Sequence, residues 1–176
     1  VGEPSKARPR SGKRCAFAPL LTDAYRACLP TATFLDFDAV SPDSILNAFA
    51  ALERGDLQKH RIVVQAETAA RLPEVLGHRI QLQQVLINLI TNAIDSMAAS
   101  DAPRVLRVTS EACQHDGVKI SVADTGPGIS PHHVERIFNP LFTTKSDGMG
   151  MGLSICRAIV EAHQGRLWVS PNVPQG

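Results

Sequence analysis

Apolar residues recur at steps of three and four through "HRIQLQQVLINLITNAIDSMAA", at Val85, Leu86, Leu89, Ile90, Ala93, Ile94 and Met97. That spacing predicts one long helix whose broad apolar stripe faces a sheet. Elsewhere the period shortens to two. "RVLRVTSEA" and "VKISVAD" alternate apolar and polar positions and read as strands, joined by "CQHDG", where Asp116-Gly117 is a hairpin signal. "RIVVQAET" reads as a further strand and "RLWVS" as a last one. In "SPDSILNAFAALERG", Ser41 suits a helix N-cap, Pro42 the first helical position and Gly55 the stop. Ser130-Pro131 opens a short helix through Ile137, and "LSICRAIVEAH" forms another that Gly165 ends. Helices mixed with a hairpin predict an α+β fold, a two-layer sandwich rather than a doubly wound parallel sheet.

Periodic structure begins at Ser41, which divides the chain into an N-terminal segment, 1–40, and a folded domain, 41–176. "VGEPSKARPRSGKR" is basic and rich in Pro, Gly and Ser, the composition of a disordered segment, and "CAFAPLLTDAYRACLPTATFLDF" shows no clean period. The formal net charge of +1 gives no bulk attraction to nucleic acid. No apolar run approaches the ~20 residues that span a bilayer, and no signal peptide is evident. Cys15, Cys28, Cys113 and Cys156 form no C-x-x-C pair, which fits small buried apolar residues in a reducing compartment and hence a cytoplasmic chain.

Three stretches carry candidate chemistry. Gln84, Asn88 and Asn92 stand at i, i+4 and i+8, so they line one edge of the long helix. Asparagine is a poor helix former. Its carboxamide oxygen is a hard ligand suited to Mg²⁺, although amides in solvent or capping a loop explain the pattern as well. "VKISVADTGPGIS" ends a strand on Asp124 and enters a Gly-x-Gly turn. A carboxylate there can accept from an exocyclic amine such as adenine's, with Gly126 and Gly128 allowing close approach of a flat ring. A plain strand-ending turn is the other reading. In "TTKSDGMGMGLSICRAIVEAHQG" glycines stand at 148, 150 and 152, directly before a helix. Glycine costs about 1 kcal/mol against alanine in a helix. Backbone N–H groups exposed at a helix start favour anions, and Lys145 adds a point charge, so the stretch is a phosphate cradle or a hinge. It matches neither a Rossmann fingerprint nor a P-loop.

Taken in order, "QQVLINLITNAID", "DTGPGIS", "FNPLFTTK" and "GMGMGLSI" resemble the N box, first glycine box, F box and second glycine box of sensor histidine kinases. More widely they resemble the ATPase superfamily shared with gyrase, Hsp90 and MutL. The resemblance runs from Ser41 to Ser170, and the second half is similar to the PAS-linked, nitrogen-regulation type. It implies a Bergerat-type two-layer sandwich, with a mixed, mainly antiparallel sheet and helices on one face. Asn92 is then the Mg²⁺ ligand and Asn88 its support, with Asp95 close to the nucleotide. Asp124 would bind adenine, with Gly126, Gly128 and Ile129 beneath the base. Thr144, Lys145, Gly148, Gly150, Gly152 and Leu153 would form the lid and phosphate contacts. Phe138 and Phe142 would anchor the lid.

The function implied is the ATP-binding catalytic domain of a two-component sensor histidine kinase. Its cofactors are ATP and Mg²⁺, and it transfers the γ-phosphoryl group to a histidine on separate dimerisation helices, with a response regulator downstream. Three departures accompany the resemblance. Leu141 stands where phenylalanine is commoner, the chain stops at "SPNVPQG" short of a further strand, and no histidine lies in a phosphoacceptor context. His60, His78, His115, His132, His133 and His163 read as surface or packing residues. Hydrolysing relatives carry a glutamate one turn before the metal asparagine, and Asn88 at that place cannot act as a base. An ATPase or serine kinase of the same fold, and a nucleotide-binding module that transfers nothing, are the alternatives.

Overall fold

The computed structural model of the chain describes residues 37–51, 54–98, 103–113, 117–145 and 148–172. The reading of residues 1–14 as disordered, Cys15, Cys28 and the hairpin residue Asp116 lie outside these. In chain order the elements are β1 (Asp38–Val40), α1 (Pro42–Ala51), α2 (Arg54–Lys59), β2 (Val63–Thr68), β3 (Val75–Gly77), α3 (Arg79–Ala98), β4 (Val105–Ala112), β5 (Val118–Asp124) and α4 (Gly152–Ala162).

The long apolar stripe folds as expected. Leu82, Val85, Leu86, Ile90, Ala93, Ile94 and Met97 are the buried residues of α3. Most of them share one core with Leu106 and Val108 of β4 and Val118 of β5. Val85 instead joins Cys156 and Val160 of α4 in a second cluster, with Leu89, Ile159 and Leu167 packed against it. On the other flank Gln83 Nε2 donates to Ser44 O of α1 at 2.8 Å. Helices therefore form one layer and strands the other, the α+β sandwich that the patterning predicts.

The sheet is mixed. β4 pairs antiparallel with β5 from Leu106↔Asp124 to Ala112↔Val118, and β2 lies parallel to β4 from Val63↔Val105 to Thr68↔Ser110. The outer face is polar: Arg107 reaches Gln65 across the β2–β4 pair, and Lys119 pairs with Glu111 across the β4–β5 pair. β1 and β3 form a separate antiparallel pair, Asp38↔Gly77 to Val40↔Val75, that local patterning does not signal. Among the described residues, regular pairing thus begins at Asp38, ahead of Ser41.

Four expectations need correction. Gly55 falls inside α2 and does not end a helix. The chain turns at Arg61 (φ 52), where Ile62 N–H returns to Leu57 O at 2.9 Å. Ile62 is buried and Leu57 packs on the core, which holds this short helix despite its glycine. Residues 131–138 form successive turns rather than a helix. His133, Arg136 and Asn139 N–H groups each bond three residues back, and the single i→i−4 bond, Ile137 N–H to His133 O at 3.0 Å, does not extend into a ladder. Helix α4 ends in a Schellman closure whose left-handed residue is Gln164 (φ 56), not Gly165. Gln164 N–H bonds Glu161 O at 2.9 Å and Gly165 N–H bonds Val160 O at 2.8 Å. "RLWVS" joins no ladder among the described residues. Leu167 and Trp168 bury against different clusters, and Asn172 Nδ2 donates to Asp124 O at 2.9 Å, so side chains fasten this segment.

Cys156 is a free buried thiol, as expected. Cys113 is disulfide-bonded, which departs from the expectation that all the thiols are reduced. No described helix is long and apolar enough to cross a membrane.

Candidate nucleotide site

Strand β5 delivers Asp124 to the edge of the helical layer, and the following residue fixes that delivery. Thr125 Oγ1 accepts from Val105 N–H at 3.0 Å and donates to Pro103 O at 2.8 Å, tying the loop to the start of β4. Asp124 Oδ1 then accepts from Gly126 N–H and from Ser96 Oγ of α3, each at 2.8 Å. A Cβ on Gly126 would lie 2.5 Å from Ser96 Oγ and 2.7 Å from Asp124 Oδ1, so only glycine fits. Gly128 takes the left-handed conformation (φ 74), and Ile129 after it is exposed. Asp124, Gly126, Gly128 and Ile129 thus form one turn, as the sequence leads one to expect.

The polar edge of α3 is also present, but its members differ. Asn88 Oδ1 accepts from Gln84 Nε2 at 3.2 Å. The Asn88 side chain also hydrogen-bonds the Cys156 thiol, which burial pushes above its ordinary pKa and this bond partly restores. Asn88 is therefore held within the chain's own packing. One turn later Asn92 Oδ1 faces Lys145 Nζ at 3.4 Å, and the same ammonium sits 2.7 Å from Asp95 Oδ2. Asn92 and Asp95 thus already receive a cation from the loop. Oxygen donors converging on an ammonium are chemically suited to a hard divalent ion. The Asn88 oxygen, taken by Gln84, is less so.

The glycine stretch packs between this edge and the phenylalanine segment. Gly150 is left-handed (φ 68), and a Cβ there would come within 2.6 Å of Leu141 C and 2.8 Å of Phe142 C and N. Gly148 is as tight, 2.6 Å from Thr143 Oγ1. That hydroxyl also accepts from Lys145 N–H at 3.0 Å, which curls the loop, while Thr144 is exposed. Phe142 is held from outside the site: the Arg136 guanidinium lies 4.8 Å and the His133 ring 5.3 Å from its centroid. Phe138 stands beside Arg157 of α4, 5.8 Å away. Phe142 thus lies against the glycine loop, whereas Phe138 faces α4.

Helix α4 begins without a side-chain cap, since Met151 makes no such bond. Its first-turn N–H groups, among them those of Gly152 and Leu153, lack intrahelical acceptors and lie at the positive end of the dipole. The nearest atom to a Cβ on Gly152 would be Asn92 Nδ2, at 3.9 Å. The helix start therefore opens toward the asparagine edge. Aspartate turn, asparagine edge, lysine and helix start surround α3 on one side of the molecule. A separate cavity of about 400 Å³, lined by Glu67, Thr68, Ala69, Thr109, Ser110 and Glu111, involves none of them. Ser96 is a contact of this site beyond those the sequence motifs mark. It continues the four-residue spacing of Gln84, Asn88 and Asn92, and extending that register one turn finds it.

The chain is similar to known proteins in sequence and in fold. Residues 77–176 match the family described as histidine kinase-, DNA gyrase B-, and HSP90-like ATPase. The sensor protein FixL of Bradyrhizobium diazoefficiens is 46% identical over 102 residues, 58% of this chain and 20% of FixL. The chain thus spans about a fifth of that relative's length. The catalytic domain of histidine kinase ThkA superposes with a TM-score of 0.64 at 34% identity, covering 73% of this chain and 82% of that one. ThkA has also been solved in complex with the response regulator TrrA; it aligns there at 30% identity and a TM-score of 0.65, over 79% of this chain and 39% of that one. Full-length ShkA in complex with AMPPNP aligns at 29% identity with a TM-score of 0.63, over 76% of this chain and 27% of that one.

Proposed function

The chain belongs to the histidine kinase-, DNA gyrase B- and HSP90-like ATPase family and is a sensor-histidine-kinase ATP-binding catalytic domain, and on that premise we propose that it presents ATP for phosphoryl transfer to a histidine on separate dimerisation helices. We take residues 41–176 as the catalytic domain, with β1 annexed to it. The donated phosphoryl group would pass on to a response regulator, the class of partner seen with ThkA. The whole would work in the bacterial cytoplasm.

The observation that carries this reading is the arrangement around α3. Asn92 faces the loop lysine, and the β5 aspartate closes on the same helix at Ser96, four residues later. Asp124 would accept from the adenine amine above the Gly126–Ile129 turn. Lys145, Gly148, Gly150, Gly152 and Leu153 would surround the phosphates, with Thr144 at the rim. Asn92 would hold Mg²⁺ where it now meets the lysine ammonium, and Asp95 would keep the counter-charge beside it. When bound, that ion would offset the negative charge of the phosphates. Asn88, pinned by Gln84 and Cys156, would brace this edge.

Asn88 cannot take a proton from water, so the site favours positioning over hydrolysis. In-line transfer needs its nucleophile within about 3–3.5 Å of the phosphorus, and a second domain would bring it there. The test is radiolabelled ATP with the full chain, alone and with an acceptor hairpin from a related kinase supplied in trans. Acid-labile label on the hairpin, with little self-labelling or phosphate release, is expected. Fast phosphate release would favour an ATPase, and silence with several hairpins a binding module.

A further inference from the structure

Helix α3 carries Gln84, Asn88, Asn92 and Ser96 at steps of four, and the last of these reaches across to the sheet. Ser96 Oγ has two acceptors in range, Asp124 Oδ1 at 2.8 Å and Ala93 O at 2.9 Å. A hydroxyl has one proton to give. The ionised carboxylate is the stronger acceptor. Gly126 N–H donates to the same Oδ1. The two bonds therefore fall on one oxygen, which they hold from the helix and from the turn. Oδ2 is the atom left to meet a ligand's donor. Gly126 alone would not fix the carboxylate, because a single hydrogen bond leaves it free to rotate about the bond axis.

We propose that Ser96 is a positioning residue for nucleobase recognition: it locks Asp124 so that Oδ2 faces the exocyclic amine of a purine. This rests on the reading of Asp124 as the adenine acceptor. It also adds a mechanical link. Ser96 lies one turn from Asn92 on one continuous helix, about 6 Å along the axis. Base recognition and phosphate placement thereby share a rigid support, so a base held wrongly also misplaces the phosphates.

The experiment measures binding of Mg·ATP and Mg·ITP by titration calorimetry. Inosine triphosphate carries a carbonyl where adenine carries its amine. The variants are Ser96→Ala, Ser96→Thr and Asp124→Asn in the full chain. Alanine is the best helix former, so α3 is retained in Ser96→Ala. That variant is expected to lose about tenfold in ATP affinity and little in ITP affinity, so the preference for ATP falls toward one. Ser96→Thr keeps the hydroxyl and should keep most of the preference, even if its melting temperature falls. A merely structural serine would weaken both nucleotides alike and leave the ratio unchanged, which overturns the proposal. If Asp124→Asn abolishes the preference while Ser96→Ala does not, the Ser96 role alone is wrong. If Asp124→Asn leaves the preference intact, the adenine reading of Asp124 fails, and Ser96 with it.

Discussion

Lys145 Nζ sits 2.7 Å from Asp95 Oδ2, which joins the loop before the glycines to the third helix across fifty positions of sequence. Both side chains are roughly half exposed, so the pair contributes at most about 1 kcal/mol and weakens with salt. Such a contact is strong enough to place a lysine and weak enough to release it.

On the proposed reading the lysine has two rival anions, Asp95 and the phosphate of a bound nucleotide. Asp95→Asn removes the first, and nucleotide affinity should hold or rise up to fivefold, the limit set by about 1 kcal/mol. Lys145→Met should weaken ATP several-fold and flatten the dependence of binding on ionic strength. Titrations at low and high salt check both. Equal losses in the two variants would mean that Asp95 contacts nucleotide or metal itself.

Asn92 makes a related prediction about metal. Its Oδ1 is the amide oxygen of the helix edge that faces a cation, whereas Asn88 Oδ1 is occupied by Gln84. Asn92→Ala should therefore shift the Mg²⁺ concentration needed for half-maximal ATP binding upward by about tenfold. Gln83, which bonds Ser44 O away from this edge, serves as control, and Gln83→Ala should leave that midpoint alone. An unchanged midpoint in Asn92→Ala would make the asparagine edge structural.

These contacts mark the boundary of what local pattern reveals. The apolar stripe of α3, the β4–β5 hairpin and the positions of Asp124 and the glycines are short-range signals, and all are legible in the chain. The β1–β3 pair is not, because three residues are too few to display a period of two. Nor is the parallel β2–β4 pairing, since a crossover through α3 separates the strands and local sequence does not name the partner. Segment 166–170 alternates like a strand, yet Leu167 and Trp168 bury into separate clusters without a ladder. Ser96 differs again: the four-residue register reaches it, but its role appears only once Asp124, which it meets at the end of β5, is placed.

His163 supplies a prediction about pH. Its Nε2 accepts from His78 N–H at 2.9 Å, and its Nδ1 bonds Ile159 O at 2.8 Å, with the Phe37 ring 4.8 Å away. Nδ1 must donate and Nε2 accept, so the neutral ring fits and the imidazolium would set a proton against the His78 N–H. Burial lowers its pKa below the ordinary value, only partly opposed by the Ile159 carbonyl, and His78 lowers it further. The unfolded chain then binds the proton first as pH falls through about 6.5. The stability contributed by neutral His163 is therefore complete above that pH and declines below it, toward the lowered folded value. Urea unfolding at pH 7.5 and 5.5 should show the wild type losing stability on acidification. His163→Phe should be less stable at pH 7.5 by about 1–3 kcal/mol, since it leaves the His78 N–H without its acceptor. It should also lose less between the two pH values. An equal acid loss in the variant would assign the effect to other histidines.

Gly150 and Gly152 stand two residues apart, and alanine should change stability in opposite directions at the two positions. At Gly150 the backbone is left-handed, and the added Cβ would meet main-chain atoms of Leu141 and Phe142 within 2.8 Å. No flexible side chain can yield there, so Gly150→Ala should cost about 1–3 kcal/mol of stability. It should lower ATP affinity at least tenfold as the loop leaves its path. At Gly152 the nearest atom to a new Cβ is Asn92 Nδ2 at 3.9 Å, an ordinary contact, and the residue already lies in α4. Alanine is favoured over glycine in a helix by about 1 kcal/mol, so Gly152→Ala should raise the melting temperature. The same methyl would stand between the helix start and Asn92, where the proposed reading puts the phosphates, so ATP affinity should fall despite the gain in stability. Thermal melts and ATP titrations on the two variants check this divergence. If Gly152→Ala gains stability and keeps its ATP affinity, the helix start does not receive phosphate, and the cradle must be sought nearer Lys145.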